Sequence, residues 1–408
     1  MRSIRVCILT GKNKMKLDLN TLYSMPRMDG QALTEQNSVR GLHALITQFY
    51  APHFKMVEVG SMDGISTLMF ANFVDTIYSV DYYDYIVPET GRVPEHDQSY
   101  VDSERMFIER TKDVPNIIKI RKSSVEAAKD FPDGSLDAVY IDAAHDENSV
   151  REDIKTWRPK IKSGGILSGH DYVLPFMGKL LTEEGFLRIT VAPDTSWCVT
   201  IPTVDLVAVA CTKVPETIEA MKKCQAQFTF TRSILFTHEN ITAEGIEVIK
   251  IDKLDYKGYN EFVAMKLWQF IGSDFVILCQ NDSWILNAKK WRNEWFKFDY
   301  IGSAWPIPPE DDKVTYRTPG NRLIRVGNGG FSFRSRKLLR SPTILGLEFT
   351  DMGTGHPNED GWLCCHKREI LENAGIKFAP IEEAVLFARE LPIPELVDKD
   401  TFGFHRYL

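Results

Sequence analysis

Residues 55–81 read KMVEVGSMDGISTLMFANFVDTIYSVD, and the fold is decided there. Met56, Val57 and Val59 form a short apolar β run around Glu58. Gly60 and Gly64 then permit a sharp turn and a close backbone approach that a side chain would block. Ser66 to Phe73 continues as a helix, Ile77 to Val80 is a second β-rich run, and Asp81 ends it. Two glycines between strand and helix offer backbone N–H groups to a ligand, and an acid after the next strand can take ribose hydroxyls. The third glycine of a dinucleotide fingerprint is missing, and an ordinary βα turn would look similar. Glu58 argues against that bland alternative, because a carboxylate in an apolar strand requires a partner. A nucleoside-bearing cofactor with a cationic portion meets both demands.

The chain has 408 residues, more than one core usually serves, which implies two domains. Its net charge of −7 argues against a nucleic-acid partner, which requires a basic face. The seven cysteines, at 7, 198, 211, 224, 279, 364 and 365, form no CxxC pair. An odd, scattered set fits a reducing compartment better than a disulfide frame or a zinc site. The opening MRSIRVCILTGKNK has too short an apolar run for a secretion signal, and no later run approaches a bilayer span. A cytoplasmic setting is expected, with peripheral contact to a membrane-bound substrate left open.

Outward from residues 55–81, Ser38 to Tyr50 reads as a helix with Leu42, Leu45, Ile46 and Phe49 on one face. From 56 to 201 β and α patterns alternate, which predicts a parallel sheet covered on both faces, closed by a hairpin around Pro193-Asp194. A second βαβ series starts with the apolar run Val204 to Cys211. The predicted domains are therefore 1–202 and 203–408, both α/β. Residues 306–322 are Pro-rich and charged and read as a loop.

Residues 136–172 carry the second strong signal, LDAVYIDAAHDENSVREDIKTWRPKIKSGGILSGHDY. One strand ends at Asp142 and the next at His170-Asp171, and ligands in such sheets sit outside the carboxyl ends of strands. Asp142, His145, His170 and Asp171 are thus expected on the edge that holds the glycine turn. Two carboxylates at adjacent strand ends suit a hard divalent cation, able to hold substrate oxygens and lower a hydroxyl pKa.

EVGSMDG with its following VD resembles motifs I and II of class I S-adenosylmethionine (SAM) methyltransferases, a Rossmann-like fold. The D-x-x-H and GHD pattern resembles metal-dependent O-methyltransferases of the catechol and macrolide-sugar type, over residues 56–172. The resemblance implies SAM contacts at Glu58, Gly60, Ser61, Gly64, Ser66, Asp81, Ser124 and Asp142. It implies Mg²⁺ at Asp142 and Asp171, with His170 as ligand or outer-shell group, and His145 as general base. Tyr172, or else His170, stands at the third ligand position, where the family has a second acid or an amide. Ser123-Ser124 equally suit a helix N-cap.

In the second domain, DFVILCQNDSWILN ends a buried strand at Gln280, Asn281 and Asp282. DYIGSAW (299–305), VGNGGFSFRSRKLL (326–339), NEDGWLC (358–364) and FGFH (402–405) follow. Together they resemble a glycosyltransferase-like family with a nucleotide-sugar (GT-A) fold, across about 204–408. The family's Asp-x-Asp is degenerate here, as Gln280-Asn281-Asp282. The resemblance implies Mn²⁺ or Mg²⁺ at Asp282 and His405, donor contacts at Asn260, Asn281 and Gly329, and an acceptor base at Glu359 or Asp360, with Asp360 favoured. GNGG alone is also a tight turn, and NED before a helix is also an N-cap. Trp284, Trp291, Trp295 and Trp305 suit sugar stacking or core packing.

Three functions remain open at this level. The first is a bifunctional enzyme, a sugar O-methyltransferase fused to an inverting glycosyltransferase, acting on a polysaccharide or glycoconjugate acceptor. The second is a methyltransferase with a non-catalytic carbohydrate-binding module, and the third a natural-product O-methyltransferase.

Overall fold

The computed structural model describes residues 7–8, 15–25, 39–83, 98–186, 188–312, 315–350, 358–397 and 399–406. The chain divides into two compact units, Met1–Ile201 and Pro202–Leu408. Most of the opening segment read above for a secretion signal, and the expected helix start Ser38, lie outside the described residues.

The first unit is built on a seven-stranded sheet. Its order is Ile117–Arg121, Thr76–Asp81, Lys55–Val59, Leu136–Ile141, Ile161–Gly169, Trp197–Thr200, Thr190–Val191. The first five strands are parallel, and the closing hairpin adds two antiparallel ones. Met56, Val57, Glu58 and Val59 are all buried, as a central strand covered on both faces requires. Val57 and Val139 pack with Ile154 and Trp157 on one face, while Met56 and Tyr140 pack with Leu68 and Phe70 on the other. The chain winds from Lys55–Val59 to one edge and restarts at Leu136–Ile141 on the opposite side. Strand order therefore reverses between these two neighbours, and a crevice opens at their carboxyl ends. This α/β, Rossmann-like architecture agrees with the sequence reading.

The second unit repeats the logic with a six-stranded sheet. Its order is Glu247–Lys250, Ser233–Thr237, Val204–Val209, Phe275–Cys279, Phe331–Ser335, Tyr300–Ile301. The first four strands are parallel and the last two pair antiparallel. The order again reverses, here between Val204–Val209 and Phe275–Cys279, so Gln280-Asn281-Asp282 leave the sheet at the switch point. A small sheet of Ser283–Ile285, Gly403–His405 and Ala388–Arg389 carries the chain's end back to this place.

One helix differs from its expected span of Tyr259 to Ile271. The α-helix is Tyr256–Glu261, begun three residues earlier because Asp255 caps it, accepting from the Gly258 N–H at 2.7 Å. It widens into a π turn at Phe262–Lys266 and tightens into a 3₁₀ turn at Leu267–Gln269. Among the described residues no helix is long and apolar enough to cross a membrane.

Candidate active sites

At the first switch point Gly60 (φ 88°) and Gly64 (φ 82°) take left-handed backbone conformations. A Cβ on Gly60 would lie 2.0 Å from the Asp142 carbonyl oxygen, so only glycine lets the two strand ends close up. The Gly60 N–H donates to the Val80 carbonyl at 2.9 Å, and the Asp142 N–H to that of Val59 at 2.8 Å. Asp81 holds the turn from the neighbouring strand: its carboxylate accepts from the N–H groups of Met62 (2.8 Å) and Tyr83 (2.9 Å). Burial raises its pKa, and these backbone donors oppose the rise. Ser61 meets the Tyr83 hydroxyl at 3.1 Å. Tyr83, the second residue after the acid, had no motif signal in the sequence.

Glu58 is wholly buried. Thr67 donates to its Oε2, Ser66 and Ser79 also face the carboxylate, and Oε1 has no hydrogen-bond partner. Burial pushes its pKa up to about 7, against the pull of the Ser66 and Thr67 hydroxyls. An unpartnered buried carboxylate oxygen beside a glycine turn fits a ligand bearing a cationic donor.

Ser124 corrects one expectation. Its hydroxyl donates to Asp153 and accepts from Trp157 Nε1 at 2.8 Å, so it is committed to the packing of two helices rather than offered to an adenine. Ser123 is the cap of the helix Ser124–Ala128.

The four polar residues of the other strand ends do converge. His145 Nε2 lies 3.1 Å from Asp171 Oδ2 and 3.7 Å from Asp142 Oδ1, and His170 Nδ1 lies 3.0 Å from Asp171 Oδ1. Ligand atoms of Asp142, His170 and Asp171 all fall within 4.8 Å of one another. They line a cavity of about 10 Å³, room for one water or ion, walled by Trp197 and Met177. The Trp197 indole N–H donates to the His170 carbonyl at 2.9 Å, and Asp171 sits at φ 59°. Burial disfavours the His170 imidazolium, yet Asp171 and Asp142 outweigh it and raise the pKa to about 9. Asp142 and Asp171 likewise raise His145, whose side chain is 60% exposed. Two carboxylates and one imidazole nitrogen in this compass fit a divalent cation.

The second switch point opens on a cavity of about 490 Å³. Tyr259, Gln280, Gly329, Asp360 and His405 line it, with Trp305 stacked on Tyr316 at 4.5 Å between ring centroids. His405 is buried, and its Nδ1 lies 3.0 Å from Glu390 Oε1. Its Nε2 points at Asp282 Oδ1, 3.5 Å away, and neither atom has a hydrogen-bond partner. The adjacent His405 ring holds Asp282 below the usual carboxylate range. A buried nitrogen and a carboxylate oxygen that face each other at 3.5 Å without a hydrogen bond fit a cation held by both.

Asp360 accepts from the N–H groups of Gly329 (3.0 Å) and Gly361 (2.8 Å) and borders the cavity. Glu359 departs from its expected role. It forms a buried two-pronged pair with Arg334, both N–O distances 2.9 Å, so its carboxylate is occupied. Asn260 lines the cavity, and its amide accepts from the Glu359 N–H at 2.9 Å and donates to the Tyr256 carbonyl at 2.8 Å, which braces the loop. Gly329 is required by packing, since a Cβ there would meet Glu359 Oε1 at 1.7 Å. The Gln280 amide donates to the Tyr259 hydroxyl at 2.8 Å. Asn281 is half-buried, and neither it nor Asp282 is among the residues that line the cavity. Of the four tryptophans, Trp295 is core and hydrogen-bonds Glu383, Trp291 packs on Phe228 and Phe333, Trp284 lies under Lys223, and Trp305 alone of them borders the cavity. Glu390, Arg334 and Tyr316 escaped the sequence reading. Arg334 had a signal, a cation directly after Phe333 in the buried strand Phe331–Ser335.

Residues 57–172 match a family model described as a methyltransferase domain, and residues 246–405 one described as a protein of unknown function (DUF5672). The first unit thus carries a methyltransferase domain. A curated relative, the uncharacterized protein y4gI of Sinorhizobium fredii, is 26% identical over 133 residues, which are 32% of this chain and 13% of that protein. The solved structures it is similar to include a precorrin-6y C5,15-methyltransferase from Geobacter metallireducens, at 11% identity and TM-score 0.32 over 44% of this chain and 97% of that one. Another is fibrillarin from Aeropyrum pernix with bound S-adenosyl-L-methionine, at 13% identity and TM-score 0.29 over 48% of this chain and 99% of that one.

Proposed function

We propose that Met1–Ile201 is a SAM-dependent O-methyltransferase acting on a sugar hydroxyl. We propose further that Pro202–Leu408 is a metal-dependent, inverting glycosyltransferase using a nucleotide sugar. Both would serve one polysaccharide or glycoconjugate, in a cytoplasmic setting with peripheral access to a membrane-bound acceptor. The observation that carries the first half is the convergence of Asp142, His145, His170 and Asp171 beside a glycine turn with the half-satisfied Glu58.

Glu58, Gly60 and Asp81 would hold SAM, whose methyl group is already activated for transfer. What remains for the chain is to aim a hydroxyl and take its proton. His145 is the exposed imidazole at the site and takes that role. Mg²⁺, held by Asp142, Asp171 and His170, would lower the hydroxyl pKa and offset the carboxylates that raise the His145 pKa. In the second unit Asp360 would deprotonate the acceptor, fixed by the Gly329 and Gly361 N–H groups. Mn²⁺ or Mg²⁺ at Asp282 and His405 would stabilise the leaving diphosphate.

Methyl transfer from labelled SAM to a polysaccharide acceptor tests the first half. His145→Ala is expected to cut turnover by about 10²–10⁴-fold with SAM binding retained; unchanged turnover in that variant after exhaustive EDTA refutes the mechanism. One observation favours a second reading for the other unit, a non-catalytic carbohydrate-binding module. Gln280 stands at the first acidic position of the degenerate motif, where a neutral amide replaces a carboxylate, and its NH2 donates to the Tyr259 hydroxyl. Donor titration across UDP-, GDP-, dTDP- and CMP-sugars, with and without Mn²⁺, separates the two. No binding to any of them favours the module.

A further inference from the structure

We propose that Glu390 is a positioning residue that sets His405 as a nitrogen ligand, so that a divalent cation seats between His405 Nε2 and Asp282 Oδ1. The inference rests on the metal-dependent reading of the second unit and goes beyond it by saying what makes the imidazole a ligand. Glu390 and His405 are 15 residues apart and meet because Ala388–Arg389 and Gly403–His405 are neighbouring strands of the small sheet. Glu390 Oε1 faces His405 Nδ1 at 3.0 Å, and both side chains are at most 10% exposed. A carboxylate there accepts the Nδ1 proton, which leaves the Nε2 lone pair free to bind.

The ring has no freedom to turn away. A Cβ on Gly330 would fall 2.2 Å from Nε2 and 2.4 Å from Cε1, so the glycine backbone lies flat against the imidazole. Gly330 is itself pinned: its N–H donates to Asn328 Oδ1 and its carbonyl accepts from Ser283, both at 2.7 Å. Ser283 pairs with His405 in the sheet register, and Asp282 precedes it. The Asp282 carbonyl also accepts from the Arg406 N–H at 3.0 Å. Ligand, orienting carboxylate and second ligand are thus fixed by one small sheet. His405 Nε2 and Asp282 Oδ1, buried atoms 3.5 Å apart with no hydrogen bond, are the ends of that arrangement. One carboxylate and one imidazole leave the rest of the cation's shell to water and diphosphate oxygens, the usual arrangement where a metal serves a phosphorylated substrate.

The test is Mn²⁺ titration of the full chain by electron paramagnetic resonance. It uses an Asp142→Asn, Asp171→Asn background, so that the cation counted is in the second unit. Imidazole ligation gives a ¹⁴N coupling in the bound spectrum. His405→Ala and Asp282→Ala are expected to abolish this site. Glu390→Ala is expected to weaken Mn²⁺ binding about 10–100-fold, and Glu390→Gln, which keeps an oxygen acceptor for Nδ1–H, to restore most of the affinity and the ¹⁴N signal. If Glu390→Ala loses its cooperative melt, Glu390→Leu, which keeps the side-chain bulk, reads the same loss. Wild-type affinity and ¹⁴N coupling in a folded Glu390→Ala or Glu390→Leu chain, while His405→Ala loses both, overturns the role of Glu390 alone. Mn²⁺ binding untouched by His405→Ala and Asp282→Ala overturns the metal-dependent reading beneath it.

Discussion

At the scale of single residues, buried charge marks the sites. Glu58 keeps its proton in the folded chain up to about pH 7 because burial penalises the carboxylate. An unfolded glutamate releases it near pH 4.3. Between those values the folded state binds more protons than the unfolded one, so stability falls as pH rises through the window and levels off above it. The effect is on the order of 3 kcal/mol. Urea unfolding across pH 4.5–7.5 checks this: Glu58→Gln is expected to flatten the slope, and parallel profiles would contradict it. Glu359 makes the opposite kind of residue, a buried charge already paired with Arg334. Glu359→Gln is expected to cost about 3–5 kcal/mol, read by denaturation, because the guanidinium is left uncompensated. Glu58 was legible because a lone acid interrupts an apolar strand. Arg334 obeys the same rule in the buried strand Phe331–Ser335, where it follows Phe333, and its partner lies 25 residues on, beyond the reach of any local pattern.

At the scale of elements, the strand-turn-helix of residues 55–81 was legible almost residue by residue, since central parallel strands are continuous apolar runs and positive φ selects glycine. The helix after Asp255 was less so, because its cap precedes its apolar period and a π turn follows. Ser124 shows the limit on the side-chain level. A serine after a strand reads equally as a cofactor contact or a packing group, and only the arrival of Trp157 and Asp153 from the helix Glu147–Trp157 decides between them. Ser124→Ala is expected to lower stability by about 1–3 kcal/mol by stranding the indole N–H and the Asp153 carboxyl, with SAM affinity unchanged. Thermal melting and SAM titration of the same variant read both arms; a large loss of SAM affinity in a stably folded variant would restore the residue to the cofactor site.

For the whole molecule, two α/β units place polar clusters where strand order reverses, 142–171 in the first and 282 with 405 in the second. Composition and alternation made the two-sheet architecture readable. They were silent on Glu390, whose role arises from two short neighbouring strands far along the chain. On the proposed reading, two sites on two units act separately. Asp360→Asn is expected to abolish glycosyl transfer with methyl transfer intact, and His145→Ala the reverse, in paired assays on the full chain. The central claim is that the glycine turn at the first switch point is a SAM site. Calorimetric titration of the full chain with SAM tests it most directly. The expected result is one saturable site, weakened by about 1–3 kcal/mol in Asp81→Ala, the cost of a lost charged hydrogen bond. No saturable binding by the wild-type chain, or the same affinity in the variant, would contradict it.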